Sequence, residues 1–166
     1  HGISTGALFL LVGLLYERTH TRQLDALQAL PLHRLLPFAA VTFVLAGLAS
    51  MGLPGFSGFP AELTILMGTW PTRHLWALGA AAGVLVAAAF TLRAIQVSFF
   101  GQTGDAPAAA HGDHHFDPIS LPEKLGAFLL LATTILIGLK PDLILDWVTP
   151  ALQSPYFQAV IGKGTP

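Results

Sequence analysis

The sequence predicts an all-α protein, a polytopic bundle of transmembrane helices, from two features of its composition and one of its pattern. Of its 166 residues, 53% are hydrophobic and only 10% are charged, whereas soluble domains average about 25% charged residues. A chain with so few charges cannot cover a surface that faces water on all sides. The apolar residues are also gathered into long tracts that short polar segments separate, which is the pattern of successive membrane spans.

The same composition excludes several classes of function. A formal net charge of −1 gives no basic face for nucleic acid. Because the chain has no cysteine, disulfides, thiolate metal sites, iron–sulfur ligation and thiol catalysis are excluded. We therefore expect no redox centre in this chain, and we expect the lipid bilayer as its surroundings.

Four apolar tracts define the predicted spans. The first starts at residue 1 and is shorter than the ~20 residues that a spanning helix needs. We therefore expect a helix that begins upstream, in a longer protein of which this is a C-terminal fragment. The predicted spans cover residues 1–16, 35–70, 75–100 and 125–147, which together form one membrane domain (1–147), and a weakly apolar tail covers residues 148–166.

Basic residues in the short loops predict the orientation of the chain. Arg18, Arg22 and Arg34 follow the first tract or precede the second, and loops rich in Lys and Arg stay in the cytoplasm. Alternation then places the turn around Arg73 outside and the loop of residues 101–124 inside. The expected location is the bacterial inner membrane.

The second tract has to be interrupted. As one helix it would be roughly 54 Å long, while the hydrocarbon core is only about 30 Å thick. Two full spans do not fit either, so we predict a helix, an unwound segment near residues 52–60 and a second helix. Prolines remove backbone donors and glycines tolerate unwound dihedrals, and the residues expected to form this break are Gly52, Pro54, Gly55, Gly58 and Pro60.

Glu62 is a carboxylate within this apolar tract, and we expect it in the first turn of the second half-helix. Burial disfavours its anion, whereas the positive end of the half-helix and any nearby cation favour it. Broken helices of this kind recur at ion sites in transporters. We predict that Glu62 takes up and releases a proton; the alternative is a structural glutamate that pairs with a cation or caps freed backbone groups.

Two stretches closely resemble the chain M family of bacterial NADH:quinone oxidoreductase, respiratory complex I, whose mitochondrial counterpart is chain 4. They are HGISTGALFLLVGLLYERTHTR, residues 1–22, and LASMGLPGFSGFPAELTILMG, residues 48–68. The stretch FTLRAIQVSFFG also resembles the penultimate helix of that family. The resemblance covers about residues 2–140, and it is weak in the loops and the tail.

The resemblance implies an antiporter-like, proton-translocating subunit. Members of the family have fourteen helices in two inverted repeats, each with one broken helix, and a polar axis of Lys, Glu and His crosses the bilayer. This chain would supply the last four helices. The expected partners are other membrane-arm subunits of complex I, especially neighbouring antiporter-like chains. NADH, FMN, iron–sulfur clusters and quinone are expected in partner subunits, and no cofactor is expected in this chain.

Matched onto the family motif, Glu62 falls at the charged position of the second broken helix, where related chains usually carry Lys. His1 matches the intramembrane histidine that opens the motif HG(I/L)S. Because imidazole titrates near neutral pH, we predict a proton relay through His1, with helix packing as the alternative. For Ser4 and Thr5 we expect hydrogen bonds within their own helix rather than a place in the relay.

Arg93 and a histidine cluster are two further candidates. We expect Arg93 to extend its charged group to the membrane interface; the alternative is a pair with a carboxylate of the polar axis. The segment HGDHH, residues 111–115, carries metal-ligating side chains, but five contiguous residues in a Gly-, Ala- and Pro-rich loop are poorly organised for zinc. We therefore expect a solvated loop and no metal site.

Two other functions are left open at this point. Cation/proton antiporter subunits and membrane subunits of hydrogenase-type complexes share the broken-helix architecture, although the piece YERTHTR favours chain M. A structural subunit that braces the complex without pumping is the second alternative. The structural alternative predicts that pumping survives the replacement of Glu62 as long as the complex assembles.

Overall fold

A computed structural model describes residues 1–28, 30, 32–100 and 116–162. Over these residues it is helical and contains no strand, which confirms the predicted all-α class. The helices are α1 (Gly2–Thr19), α2 (Leu24–Gln28), α3 (Leu32–Leu35), α4 (Pro37–Ser50), α5 (Gly58–Thr69), α6 (His74–Phe100), α7 (Leu121–Leu139), α8 (Asp142–Leu152) and α9 (Pro155–Gly162).

Two of these helices, α6 and α7, are long and apolar enough to cross a membrane, and α4 is a shorter apolar helix. Only 6% of the apolar window of α6 is buried inside the chain. Large apolar side chains such as Leu75, Trp76 and Phe90 are exposed along it. A helix that is hydrophobic all round and exposed within its own chain is typical of a membrane span.

The core of the bundle forms where α1, α4 and α7 meet. Its buried side chains come from all three helices, and alanines let the helix backbones approach closely; they are Ala7, Leu11, Ala46, Ala127 and Leu131. A second cluster joins the end of α1 to the short helices α2 and α3 and to Phe99 at the end of α6. These two clusters hold α7 and α4 in fixed positions relative to α1.

The last span is shorter than predicted. A single span over residues 125–147 was expected, but α7 ends at Leu139 and α8 begins at Asp142. Pro141 explains the interruption, because its ring blocks the preceding turn and it has no N–H to donate. The predicted boundary between span and tail, at residue 147, therefore falls inside α8.

Candidate functional site at the helix break

The second apolar tract is interrupted between α4, which ends at Ser50, and α5, which begins at Gly58. Gly52, Pro54 and Gly55 lie in the interruption, which we call the break (residues 51–57). The two other residues predicted for it, Gly58 and Pro60, lie in the first turn of α5.

The break is a series of turns in which the amide groups of Met51, Gly52, Leu53 and Phe56 bond to nearby carbonyls. This matters because unwound backbone at membrane depth must find its hydrogen-bond partners in protein or in trapped water. Pro54 loses nothing here, since it has no N–H. The donors and acceptors are Met51 N to Gly47 O (3.0 Å), Gly52 N to Ala49 O (3.3 Å), Leu53 N to Leu48 O (3.3 Å), Phe56 N to Leu53 O (3.1 Å) and Phe59 N to Phe56 O (3.2 Å).

Glu62 lies against the backbone of Gly52. Gly52 has a φ of +68°, in the left-handed region that favours glycine. A Cβ atom at this position would lie 2.6 Å from Cδ and 2.8 Å from Oε1 of Glu62, and still closer to Oε2. The backbone conformation therefore favours glycine here, and a Cβ atom at this position would displace the flexible end of the Glu62 side chain.

The carboxylate of Glu62 is half-buried. Among the residues that the structure describes, it accepts no hydrogen bond and forms no ion pair. It lies instead against the Cα side of Gly52. A carboxylate placed this way has lone pairs available to a proton or to water.

The expected place of Glu62 in the first turn of the half-helix is wrong. Helix α5 begins at Gly58, with Ser57 as its N-cap, and its first turn contains no acidic residue. The helix can start before Pro60 because proline is tolerated in a first turn. Glu62 thus lies in the second turn, where the field of the helix N-terminus has already weakened.

Helix α7 contacts the break through Gly138, in its last turn. A Cβ atom added to Gly138 would lie 2.5 Å from the carbonyl oxygen of Gly55 and 2.6 Å from Cα of Phe56. The two backbones are therefore in direct contact. Sequence reasoning missed this residue, although a lone glycine in the run ILIGL, residues 135–139, is a signal of close backbone approach.

No hydrogen bond or ion pair joins the other predicted relay residues to Glu62 within the described part of the chain. His1 is exposed at the start of α1, and its Nε2 lies 3.2 Å from Oγ1 of Thr5. Ser4 donates to the carbonyl of His1 (3.0 Å), so the expected bond within its own helix is confirmed. Arg93 is exposed on α6. Roles for His1 and Arg93 in proton transfer stay predictions.

The HGDHH segment lies outside the described residues. Within the described ranges, no group of three or more His, Cys, Asp or Glu side chains is placed to hold a metal ion.

At the other end of α7, an ion pair that the sequence analysis did not anticipate joins α7 to α1. Arg18 donates from Nη1 to Oε1 of Glu123 (3.0 Å) and from Nη2 to Oε2 (2.9 Å). It also donates to the carbonyls of Asp117 (2.9 Å), Pro118 (3.3 Å) and Leu14 (3.0 Å). The Arg18 side chain is only 7% exposed, so a buried guanidinium is fully bonded here.

Glu123 has further partners in its own helix. Its Oε2 accepts from the backbone N–H of Ser120 (2.6 Å) and from the Ser120 hydroxyl (2.7 Å). Ser120 and Glu123 form the capping box of α7, and the pattern Ser-x-x-Glu before an apolar run was the signal that could have identified them. Arg18 and Glu123 together fix the start of α7 on the end of α1.

Comparison with known proteins identifies the family. A family model described as NADH:quinone oxidoreductase/Mrp antiporter, TM, matches residues 1–91 of the 166. That match covers both α1 and the whole of the break with Glu62.

Several curated proteins match nearly the whole chain. The NADH-quinone oxidoreductase subunit M of Rhodobacter capsulatus is 35% identical over 152 residues, which are 92% of this chain and 28% of the relative. The NAD(P)H-quinone oxidoreductase chain 4 1 of a Picosynechococcus species is 34% identical, over 86% of this chain and 27% of the relative. Subunit M of Rickettsia prowazekii is 32% identical, over 88% and 28% respectively.

This chain therefore spans little more than a quarter of the length of these relatives. The similarity to subunit M and chain 4 confirms the resemblance found in the sequence. With a family model over more than half of its residues and apolar helices of spanning length, the chain is an integral membrane protein that belongs to the NADH:quinone oxidoreductase/Mrp antiporter transmembrane family.

Proposed function

We propose that this chain contributes to a proton-translocating, subunit M-like part of NADH:quinone oxidoreductase, in which Glu62 takes up and releases a proton at the helix break. The observation that carries the proposal is the state of this carboxylate. It is half-buried, rests on the backbone of Gly52, and has no hydrogen-bond or ion-pair partner among the described residues. The names of the relatives support the complex to which the chain is assigned.

The chemistry follows from the surroundings of Glu62. A carboxylate that no cation compensates responds strongly to any charge brought near it in a medium of low dielectric constant. A cation that approaches from a neighbouring chain stabilises the anion and promotes proton release, and its withdrawal promotes proton uptake. Electrostatic changes in the complex are thereby converted into proton transfer without redox chemistry at this site.

The redox steps belong elsewhere in this proposal. NADH oxidation and quinone reduction, with FMN, iron–sulfur clusters and quinone, are assigned to partner subunits, since this chain has no cysteine to ligate a cluster. The neighbours in the membrane arm are antiporter-like chains, and the membrane is the bacterial inner membrane. His1 is proposed as a second relay group, at the start of α1.

The proposal is tested with Glu62→Gln in the assembled complex, in membrane vesicles of the source organism. Glutamine keeps the size and polarity of the side chain but cannot exchange a proton. We expect proton translocation per NADH oxidised to fall to background while native gels show a normal amount of complex. The matched control is Glu17→Gln, which makes the same change at an exposed glutamate on α1 and should pump normally.

The contrary result is also informative. Normal translocation by Glu62→Gln, in fully assembled complex, would show that Glu62 is a structural residue and would favour the bracing subunit over the pumping one. Proton movement that requires Na⁺ or K⁺ on the opposite side of the membrane, and does not require NADH oxidation, would favour the antiporter alternative.

A further inference from the structure

We propose that Gly138, in the last turn of α7, is a positioning residue for the carboxylate of Glu62, an inference that rests on the proposed function of Glu62. The two residues are far apart in the sequence and lie on different helices. The break connects them, because Gly138 meets the backbone of Gly55 and Phe56 while Glu62 lies against Gly52.

The contact between α7 and the break leaves no room for a side chain at residue 138. A Cβ atom there would overlap the carbonyl carbon of Phe56 and lie 2.5 Å from the oxygen of Gly55 and 2.6 Å from Cα of Phe56. All three are backbone atoms, so no change of side-chain rotamer relieves the overlap. Either α7 or the break must move if residue 138 is anything but glycine.

Helix α7 is held against such a movement at its opposite end. The carboxylate of Glu123, in the first turn, is bonded to Arg18 through both oxygens at 2.9 and 3.0 Å. Between the two ends, Ala127 and Leu131 are buried in the core with α1 and α4. Glu123 and Gly138 are about 22 Å apart along α7 at 1.5 Å per residue. The displacement therefore falls mainly on the break.

A shift of the break reaches Glu62 by two routes. Phe56 accepts a hydrogen bond from the backbone N–H of Phe59 at 3.2 Å. It is therefore tied to the first turn of α5, and Glu62 lies in the second turn of the same helix. The backbone N–H of Phe56 also donates to the carbonyl of Leu53 at 3.1 Å. Leu53 is next to Gly52, and the carboxylate of Glu62 lies against the Cα side of Gly52. Both the helix that holds Glu62 and the surface on which its carboxylate rests are thus connected to Gly138.

The test compares Gly138→Ala with Gly126→Ala, which makes the same substitution on the same helix. A Cβ atom at Gly126 would lie 3.7 Å from Cδ1 of Leu10, an ordinary van der Waals contact. Each variant is made in the full complex and measured for assembly, for proton translocation per NADH across a range of pH, and for the rate at which a hydrophobic carbodiimide labels Glu62.

For Gly138→Ala we expect normal assembly, a several-fold loss of translocation, a shifted pH profile and a changed rate of labelling at Glu62. Gly126→Ala should match the unmodified protein in assembly, translocation, pH profile and labelling rate. The pH profile and the labelling rate separate positioning from mere stability. A uniformly destabilised complex would be present in smaller amount, but its pH profile and labelling rate would be normal.

Three outcomes overturn or reassign the inference. If Gly138→Ala translocates protons with the normal yield and pH profile while Glu62→Gln does not, Gly138 has no positioning role and the function of Glu62 stands. If Glu62→Gln itself translocates normally, the proposed function fails first. If Gly138→Ala does not assemble, labelling of Glu62 in the membrane-inserted chain decides, and a rate equal to that of Gly126→Ala overturns the inference.

Discussion

Glu62 and Glu123 are two glutamates in similar sequence settings with opposite surroundings. The first turn of each helix contains a proline shortly before the glutamate: Pro60 in α5 and Pro122 in α7. Glu123 accepts hydrogen bonds from Arg18 through both of its oxygens and from Ser120 through Oε2. Glu62 accepts none from any residue that the structure describes, and it rests on the bare backbone of Gly52.

On the function proposed above, the difference separates a structural carboxylate from one that exchanges a proton. The charge of Glu123 is compensated by a guanidinium in a bidentate pair, which is among the strongest and most directional ionic contacts in proteins. Protonation there would break several bonds at once. Glu62 has no such bond to the described part of the chain, as the proposed proton exchange requires.

The largest expected effect on stability comes from Glu123→Ala. It leaves the guanidinium of Arg18, only 7% exposed, without its carboxylate, and unpaired charged groups cost about 2 kcal/mol. We expect a lower thermal-denaturation midpoint of the complex and less assembled complex. Glu62→Ala should leave the midpoint nearly unchanged. Equal midpoints for the two variants would remove the distinction drawn between the two carboxylates.

Gly52→Ala and Gly55→Ala sharpen the account of Glu62. Both residues have positive φ, +68° and +98°, so each alanine costs roughly 1–2 kcal/mol in backbone strain. Only at Gly52 does the added Cβ meet the Glu62 carboxylate; at Gly55 nothing lies within 4 Å. We expect proton translocation per assembled complex to fall for Gly52→Ala alone. A similar fall for both variants would assign the effect to strain in the break.

Arg18→Lys examines the geometry of the ion pair at the start of α7. Lysine keeps the positive charge but cannot make two parallel hydrogen bonds to Glu123 or also reach the carbonyls of residues 117 and 118. We expect a loss of about 1 kcal/mol in stability, seen as a lower denaturation midpoint. Arg34→Lys, at an exposed arginine, is the control, and an equal loss in both would show that the bidentate geometry is unimportant.

The smallest effect is expected for Pro60→Ala. Proline in the first turn of a helix interrupts no hydrogen bond, and α5 already begins two residues earlier, at Gly58. We expect the denaturation midpoint and proton translocation to remain close to those of the unmodified protein. A large loss of either would mean that Pro60 itself maintains the break.

Local chemistry made the break and Glu62 predictable. The tract was too long for one span, and a carboxylate among apolar residues is conspicuous in a sequence. The turn that holds Glu62 was not predictable in the same way, because a helix can begin before a proline as well as at it. The contacts of Gly138 with Gly55 and of Arg18 with Glu123 join residues that only the packing of α1, α4 and α7 brings together.

The bonds of Arg18 also bear on how this protein tolerates evolutionary change. Arg18 binds the carbonyls of Asp117 and Pro118 as well as the carboxylate of Glu123. The entry of the chain into α7 is thus anchored to α1. We therefore expect changes of length ahead of that anchor to be tolerated better than a substitution at Arg18 itself. By fixing the start of α7, Arg18 also fixes, through the length of that helix, the level at which Gly138 meets the break.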